Sequence, residues 1–311
     1  MEKIAIIGAG LIGRAWAMVF ARAGHPVTLW DSDPAAVPRA VKLIEDGLDE
    51  LKSFGLIDEA PATVAARLSG APTLVHAVRD ADYVQENTAE NLEVKQSVFR
   101  QMDAAAKPAC ILASSTSTIE TSRFAGGLPG KHRCLVAHPV NPPHVVPIVE
   151  ISPAPFTAPE VVTRTHALHQ KVGQVPILVK REVEGFILNR LQAALLNEAW
   201  RLVKEDYVSV EDLDKTIKDG LGLRWAFMGP FETIDLNAPG GVPDYAARYG
   251  PKLHGMMKEI RYEPWDSVLI ARVEAERRKL MPQTRHAERE AWRDRRLMAL
   301  IAHKRAMAQK D

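Results

Sequence analysis

Residues 3–7 (KIAII) form a short apolar run that leads directly into Gly8-Ala9-Gly10-Leu11-Ile12-Gly13, and this junction constrains the fold more than any other part of the chain. A run of that length and character reads as a buried parallel strand. The glycines that follow each have a physical task. Gly8 allows the tight turn out of the strand, Gly10 lets an anion approach a backbone without Cβ, and Gly13 lets the next helix pack close to the sheet. The helix continues to about Ala23, and Val27–Trp30 make a second strand with Asp31 at its end. Asp31 stands 18 residues after Gly13, close to the ~20 expected of a carboxylate that accepts hydrogen bonds from an adenosine ribose. Leu11 and Ile12 lie between the second and third glycines, where the helix N-terminus would meet a pyrophosphate. The Asp31 carboxylate would repel a 2′-phosphate, and no Arg or Lys follows it before Arg39, so NAD is expected rather than NADP.

Further apolar runs at 83–85, 111–113, 135–137, 146–151 and 175–179 read as strands, with amphipathic helices between them. Strand–helix alternation of this kind predicts an α/β fold, a Rossmann-like doubly wound, mostly parallel sheet. From about Val183 the periodicity is helical throughout, as in FILNRLQAALLNEAWRLVK at 186–204. The expected division is therefore a dinucleotide-binding domain at 1–181 and an all-α domain at 182–311. The 40 basic and 39 acidic residues leave a net charge of +1, which provides no basic stripe for a nucleic acid. The chain opens on a strand without a basic leader, and no run reaches the roughly 18 apolar residues of a membrane span. A cytoplasmic protein with no membrane partner is the expectation. Cys110 and Cys134 sit in apolar runs and read as buried thiols. His166 and His169 stand three apart on a helix without a third ligand, so no metal site is expected.

Three further segments carry a resemblance that spacing alone would not reveal. They are Ser114-Ser115-Thr116-Ser117, the loop His138-Pro139-Val140-Asn141-Pro142-Pro143 with Glu150, and Gly185-Phe186-Ile187-Leu188-Asn189-Arg190. With these the chain resembles the 3-hydroxyacyl-CoA dehydrogenase superfamily along nearly its whole length. The resemblance implies that His138 and Glu150, 12 residues apart, are a catalytic His–Glu pair, with Ser117 and Asn189 hydrogen-bonding the reacting oxygen. It also implies that Glu90 and Lys95 contact the cofactor and that Asn141 supports the substrate. The residues are in keeping with these roles. His138 falls where one strand ends and Glu150 lies in the next, after a proline-rich turn, so the two side chains can meet. A carboxylate on one imidazole nitrogen fixes the tautomer and leaves the other nitrogen to take a proton.

Within the superfamily the chain is most similar to the L-gulonate 3-dehydrogenase branch, which includes lambda-crystallin. The stretches that carry this are Trp16-Ala17-Met18, AHPVNPP at 137–143, NEAWRLV at 197–203 and GLGLRWAFMGPFET at 220–233. The implied reaction is NAD-dependent oxidation of the 3-hydroxy group of a small hydroxy acid. A free carboxylate on such a substrate calls for a fixed guanidinium, and Arg224 lies in an otherwise apolar segment. A 3-hydroxyacyl-CoA substrate would prefer a basic helix after Asp31. That helix carries Arg39, Lys42 and Lys52 against Glu45, Asp46, Asp49 and Glu50. L-carnitine is a third alternative, since Trp225 and Phe227 could contribute to a cage for a quaternary ammonium. A reading of another class is a crystallin-like, NADH-binding protein without turnover. The resemblance further implies a homodimer through the helical domain.

Overall fold

The computed structural model describes residues 1–308. Its chain forms two compact units, Met1–Asn189 together with the chain from Glu290, and Arg190–Arg289.

The first unit is built on eight strands: β1 Ile4–Ile7, β2 Val27–Trp30, β3 Leu68–Gly70, β4 Tyr83–Glu86, β5 Ile111–Ser114, β6 Cys134–Pro139, β7 Ile148–Pro153 and β8 Val175–Leu178. They lie in the order β3-β2-β1-β4-β5-β6-β7-β8. Every neighbouring pair is parallel except β6–β7. The order reverses between β1 and β4, the switch point where doubly wound sheets open a crevice at the strand ends. Side chains alternate across the sheet. Ile4 and Ile6 join one core with Trp16, Phe20, Ile44 and Leu135, whereas Ala5 and Ile7 join the other with Val84, Phe99, Leu112 and Phe124. Each large side chain buried this way contributes roughly 1.5–3 kcal/mol. The helices that cover the sheet include α1 Leu11–Arg22, α2 Ala36–Ser53, α3 Leu92–Ala105 and α4 Pro159–Lys171.

The second unit is helical. Within it α5 (Leu188–Lys204) continues from the first unit, followed by α6 Val210–Lys215, α7 Gly241–Met257 and α8 Ser267–Leu280. Its buried core is small: Val203, Val210 and Leu269, with Trp200, Leu213 and Val273 packed against them. Trp200 stacks on Trp265 at 4.8 Å. Ser209 caps α6 through the Asp212 N–H, and Glu276 accepts the N–H of Val210.

The sequence-based division at 181/182 differs from these units in two places. The first unit runs on through the Gly185–Asn189 segment. The last helix, α9 (His286–Ala308), returns to it, with Met298 in the same core as Trp16 and Ile44. Arg305 of α9 donates to the carbonyl of Leu56, and Arg295 pairs with Glu50. Strand β3 is a further element that the sequence pattern did not mark. Cys110 and Cys134 are buried, free thiols. Among the described residues, no helix is long and apolar enough to cross a membrane, and no cluster of His, Cys, Asp and Glu could hold a metal.

Candidate active site

The glycine turn leaves one side open. Gly8 has φ +93°, and a Cβ there would stand 2.7 Å from the Asn87 carbonyl oxygen. A Cβ on Gly13 would stand 1.8 Å from the Gly8 carbonyl oxygen, so α1 packs on the turn only because Gly13 has none. Gly10 is different, because nothing lies within 4 Å of where its Cβ would be. Leu11 is exposed beside it and Ile12 half-buried. Helix α1 begins here without a side-chain cap and without an acidic residue in its first turn, so its leading N–H groups are available to an anion. Asp31 directs one carboxylate oxygen to the Ala9 N–H (2.7 Å) and the other to the Asp33 N–H (3.0 Å), tying the glycine turn to the end of β2. Next to Asp31 lies a cleft of about 690 Å³ walled by Trp30, Pro34, Val37, Pro72 and Leu74. An open glycine backbone, a free helix N-terminus and a largely apolar cleft with a carboxylate at its edge fit pyrophosphate, adenine and ribose in turn.

The antiparallel register of β6 and β7 places His138 opposite Glu150. His138 Nδ1 and Glu150 Oε2 are 2.8 Å apart, and both side chains are buried. The other carboxylate oxygen accepts the N–H groups of Ile187 (2.9 Å) and Leu188 (3.0 Å), the entry to α5. Glu150 thus holds the imidazole with one oxygen and a helix terminus with the other. A carboxylate accepts and cannot donate, so the shared proton belongs to Nδ1. His138 Nε2 has no hydrogen-bond partner among the described residues. The Phe186 ring packs on the imidazole at 5.3 Å. The chain enters α5 through two left-handed residues, Gly185 (φ +74°) and Phe186 (φ +49°), the second unusual for a bulky side chain.

Asn189 follows directly, and its amide donates to the Ser117 carbonyl at 3.0 Å. The Ser117 N–H in turn donates to Glu90 Oε1 at 3.0 Å, leaving its exposed hydroxyl uncommitted. His138 and Glu150 are thus tied to the start of α5 at Ile187 and Leu188, and Asn189, the next residue, is tied to Ser117 and through it to Glu90. Glu90 is the anchor of the turn after β5. The same oxygen accepts from the Thr116 hydroxyl, the Thr118 N–H and the Thr118 hydroxyl. Burial acts to raise the Glu90 pKa, but the Thr116 bond, the Lys95 charge and the Thr118 bonds outweigh it, and the net direction is down.

Lys95 is placed differently from the simple cofactor contact expected of it. It is fully buried, with its ammonium 3.1 Å from Glu86 and 3.7 Å from Glu90. Glu86, at the end of β4, also accepts from Ser114 and Thr88. Sequence reasoning missed Glu86. The signal was a carboxylate closing an apolar strand, which requires a buried partner. Asn141 lies exposed just beyond β6. Arg224 lies in the second unit on the short helix Gly222–Trp225, exposed, with no ion-pair partner among the described residues.

Comparison with known proteins agrees with this geometry. Residues 3–183 match the family model described as the 3-hydroxyacyl-CoA dehydrogenase NAD-binding domain, and residues 185–279 match the corresponding C-terminal domain. The chain is 44% identical to a lambda-crystallin homolog of Bos taurus, covering 98% of this chain and 97% of that one. It is 36% identical to L-carnitine dehydrogenase of Streptomyces coelicolor, covering 88% and 87%. Among solved structures, it resembles the NAD+-dependent dismutase 5-formyl-3-hydroxy-2-methylpyridine 4-carboxylic acid 5-dehydrogenase. That match has a TM-score of 0.83 and 28% identity over 97% of this chain and 99% of that one. The chain belongs to the 3-hydroxyacyl-CoA dehydrogenase family of NAD-dependent oxidoreductases acting on CH–OH groups.

Proposed function

We propose that this dehydrogenase oxidises the 3-hydroxy group of a small hydroxy acid, with L-gulonate to 3-dehydro-L-gulonate as the leading reaction. The observation that carries the chemistry is the 2.8 Å contact between His138 and Glu150. Gly8, Gly10 and Gly13 with Leu11 and Ile12 hold the pyrophosphate, Asp31 holds the ribose, and Glu90, kept ionised within its cage of donors, borders the cofactor. Lys95 acts one step back, pairing with buried Glu86 and lending its charge to Glu90 as well. Bound NAD+ supplies the hydride acceptor. Glu150 keeps the proton on His138 Nδ1, so Nε2 takes the proton of the substrate hydroxyl as the carbonyl forms. The imidazolium that results is stabilised by the same carboxylate. The Ser117 hydroxyl and the Asn189 amide hydrogen-bond the reacting oxygen, and Asn141 supports the substrate.

Substrate choice rests on charge. Arg224, exposed and without an acidic partner among the described residues, suits a free carboxylate. A CoA thioester is less well served, because Arg39 of α2 is already paired with Asp33 at 2.6 Å. Exposed Trp225 and Phe227 beside Arg224 keep L-carnitine as the second reading, since an aromatic surface suits a quaternary ammonium. A homodimer through the helical unit is in keeping with its exposed Leu191, Leu223, Phe231 and Leu236. The two free buried thiols suit a reducing compartment such as the cytoplasm.

The test is a rate comparison with NAD on L-gulonate, L-3-hydroxybutyrate, L-carnitine and 3-hydroxybutyryl-CoA. A clear preference for the thioester refutes the hydroxy-acid reading, and no turnover on any of them favours a binding protein. Arg224→Met is expected to raise KM for the acid about 10-fold, as loss of one charge-assisted contact would. An unchanged KM removes Arg224 from the site.

A further inference from the structure

Behind the glycine turn and the His138 strand lies a buried set of polar side chains to which no role has been assigned above: Trp16, Tyr83, Gln85, Ser115 and His169. Tyr83, Gln85, Trp16 and His169 are fully buried, and Ser115 is half-buried. The chemistry of each group fixes the direction of every hydrogen bond among them. Gln85 Nε2 lies 3.1 Å from the Ala137 carbonyl and 2.7 Å from Ser115 Oγ. A carbonyl only accepts, so the Gln85 amide nitrogen faces it, and Gln85 Oε1 faces the Tyr83 hydroxyl at 2.6 Å. Tyr83 spends its single hydrogen there, so His169 Nε2, 2.9 Å away, donates to the phenol oxygen. Ser115 Oγ accepts from Gln85 and from the Trp16 indole N–H (3.0 Å), so its own hydrogen goes to Asn87 Oδ1 at 2.7 Å. The Asn87 amide donates to the Gln85 carbonyl at 2.8 Å, which locks its orientation as well.

The result is a one-way chain, His169 to Tyr83 to Gln85 to Ser115 to Asn87. It reaches the reaction site at two places, through a branch at Gln85 and through its end at Asn87. Strand β5 pairs with β6 only as far as Ser114–Val136. Ala137 lies one residue beyond that last pair, and its carbonyl is held by Gln85 reaching across the end of β5. The next residue is His138. At the other end, the Asn87 backbone packs against the glycine turn, at the place a Gly8 side chain would fill, and its N–H donates to the Ile7 carbonyl.

We propose that Gln85 and Ser115 are positioning residues for the hydride-transfer reaction, Gln85 fixing the strand end that aims His138 and Ser115 fixing the Asn87 wall behind the glycine turn. The proposal rests on the reading of His138 as the base. A satisfied buried network of this kind rigidifies what it touches, and cutting it leaves orphaned polar groups in a low-dielectric interior.

The two ends give different kinetic signatures. Gln85→Leu removes the side-chain contact to the Ala137 carbonyl, leaving that residue held only by β7, and is expected to lower kcat by about 10–100-fold per active site counted by NADH titration. Ser115→Ala leaves the Gln85–Ala137 contact in place and removes the donor to Asn87. It is expected to raise KM for NAD about 10-fold with kcat within about 3-fold. Tyr83→Phe removes only the hydroxyl that orients Gln85, far from the substrate, and should lower kcat by about 3–10-fold. It is the variant to rely on if Gln85→Leu does not fold. A purely structural role would lower the melting temperature and the number of active sites but leave kcat and KM per site unchanged. That outcome, or both variants shifting kcat and KM together, overturns the proposal. His138→Ala, measured alongside, separates the two readings. If it keeps turnover the base assignment fails, whatever Gln85 and Ser115 do.

Discussion

Glu150→Gln tests the centre of the site most directly, because it changes the chemistry of one atom and little else. Glu150 Oε1 accepts two backbone N–H groups, from Ile187 and Leu188. The amide must therefore keep its oxygen there and turn its NH2 group to His138 Nδ1. Two donors cannot share that contact, so Nδ1 loses its proton and Nε2 gains it, which blocks the nitrogen that would act as base. Restoring the working tautomer forfeits that neutral amide–imidazole hydrogen bond, about 0.5–1.5 kcal/mol. The imidazolium formed during the reaction also loses a buried carboxylate partner, about 4 kcal/mol for charge centres roughly 4 Å apart at an effective dielectric near 20. The sum, about 4.5–5.5 kcal/mol, corresponds to about a 10³–10⁴-fold fall in kcat. Initial rates of NADH formation read the loss, with NADH affinity by fluorescence within about 3-fold of the parent and the melting temperature within a few degrees. A Glu150→Gln enzyme within 10-fold of the parent would show that His138 does not work through this contact.

The glycine turn offers a paired test. Gly10→Ala meets nothing within 4 Å in the protein, so it should fold normally yet lose at least 10-fold in NADH affinity, whereas Gly13→Ala drives a Cβ to 1.8 Å from a backbone oxygen and should lower the melting temperature by several degrees as well. Normal NADH binding by Gly10→Ala would refute the pyrophosphate assignment. Burial, with a smaller push from His166, depresses the His169 pKa to about 3, and burial depresses His144 to about 4. An unfolded histidine titrates near 6.5, so the unfolded chain takes up the proton first as pH falls. The stability these residues contribute is intact above about pH 6.5 and falls by about 1.4 kcal/mol per pH unit for each residue until its folded pKa is reached. Urea unfolding between about pH 6 and 4.5 should show this slope, and His169→Gln should reduce it by close to one proton. An unchanged slope would refute the account.

Much of this was legible locally and some was not. Gly8, Gly10, Gly13 and Asp31 could be read because each answers a backbone constraint within one βαβ unit. His138 and Glu150 were paired by the family resemblance, and the proline-rich turn between them is in keeping with two adjoining strands. Strand β3 is three residues, Leu-Ser-Gly, too short to show a period. Lys95 reads as a cofactor contact, and its buried pairing with Glu86 was hidden because that strand carboxylate lies outside the helix. The chain of Tyr83, Gln85 and Ser115 depends on the end of β5, which no local pattern specifies. The destination of α9 was hidden because charged residues interrupt its apolar positions and only Met298 is buried in it.

That last helix sets the order of events on the ribosome. The dinucleotide-binding core contains a residue, Met298, that is synthesised after the whole of the helical unit. The NAD-binding unit cannot close its core while it is being made, although all eight of its strands have already emerged. Its final packing waits for the helix His286–Ala308, so a nascent chain halted at Arg289 would expose the apolar surface that Met298, Leu297 and Ile301 otherwise cover and would be a natural client for a chaperone.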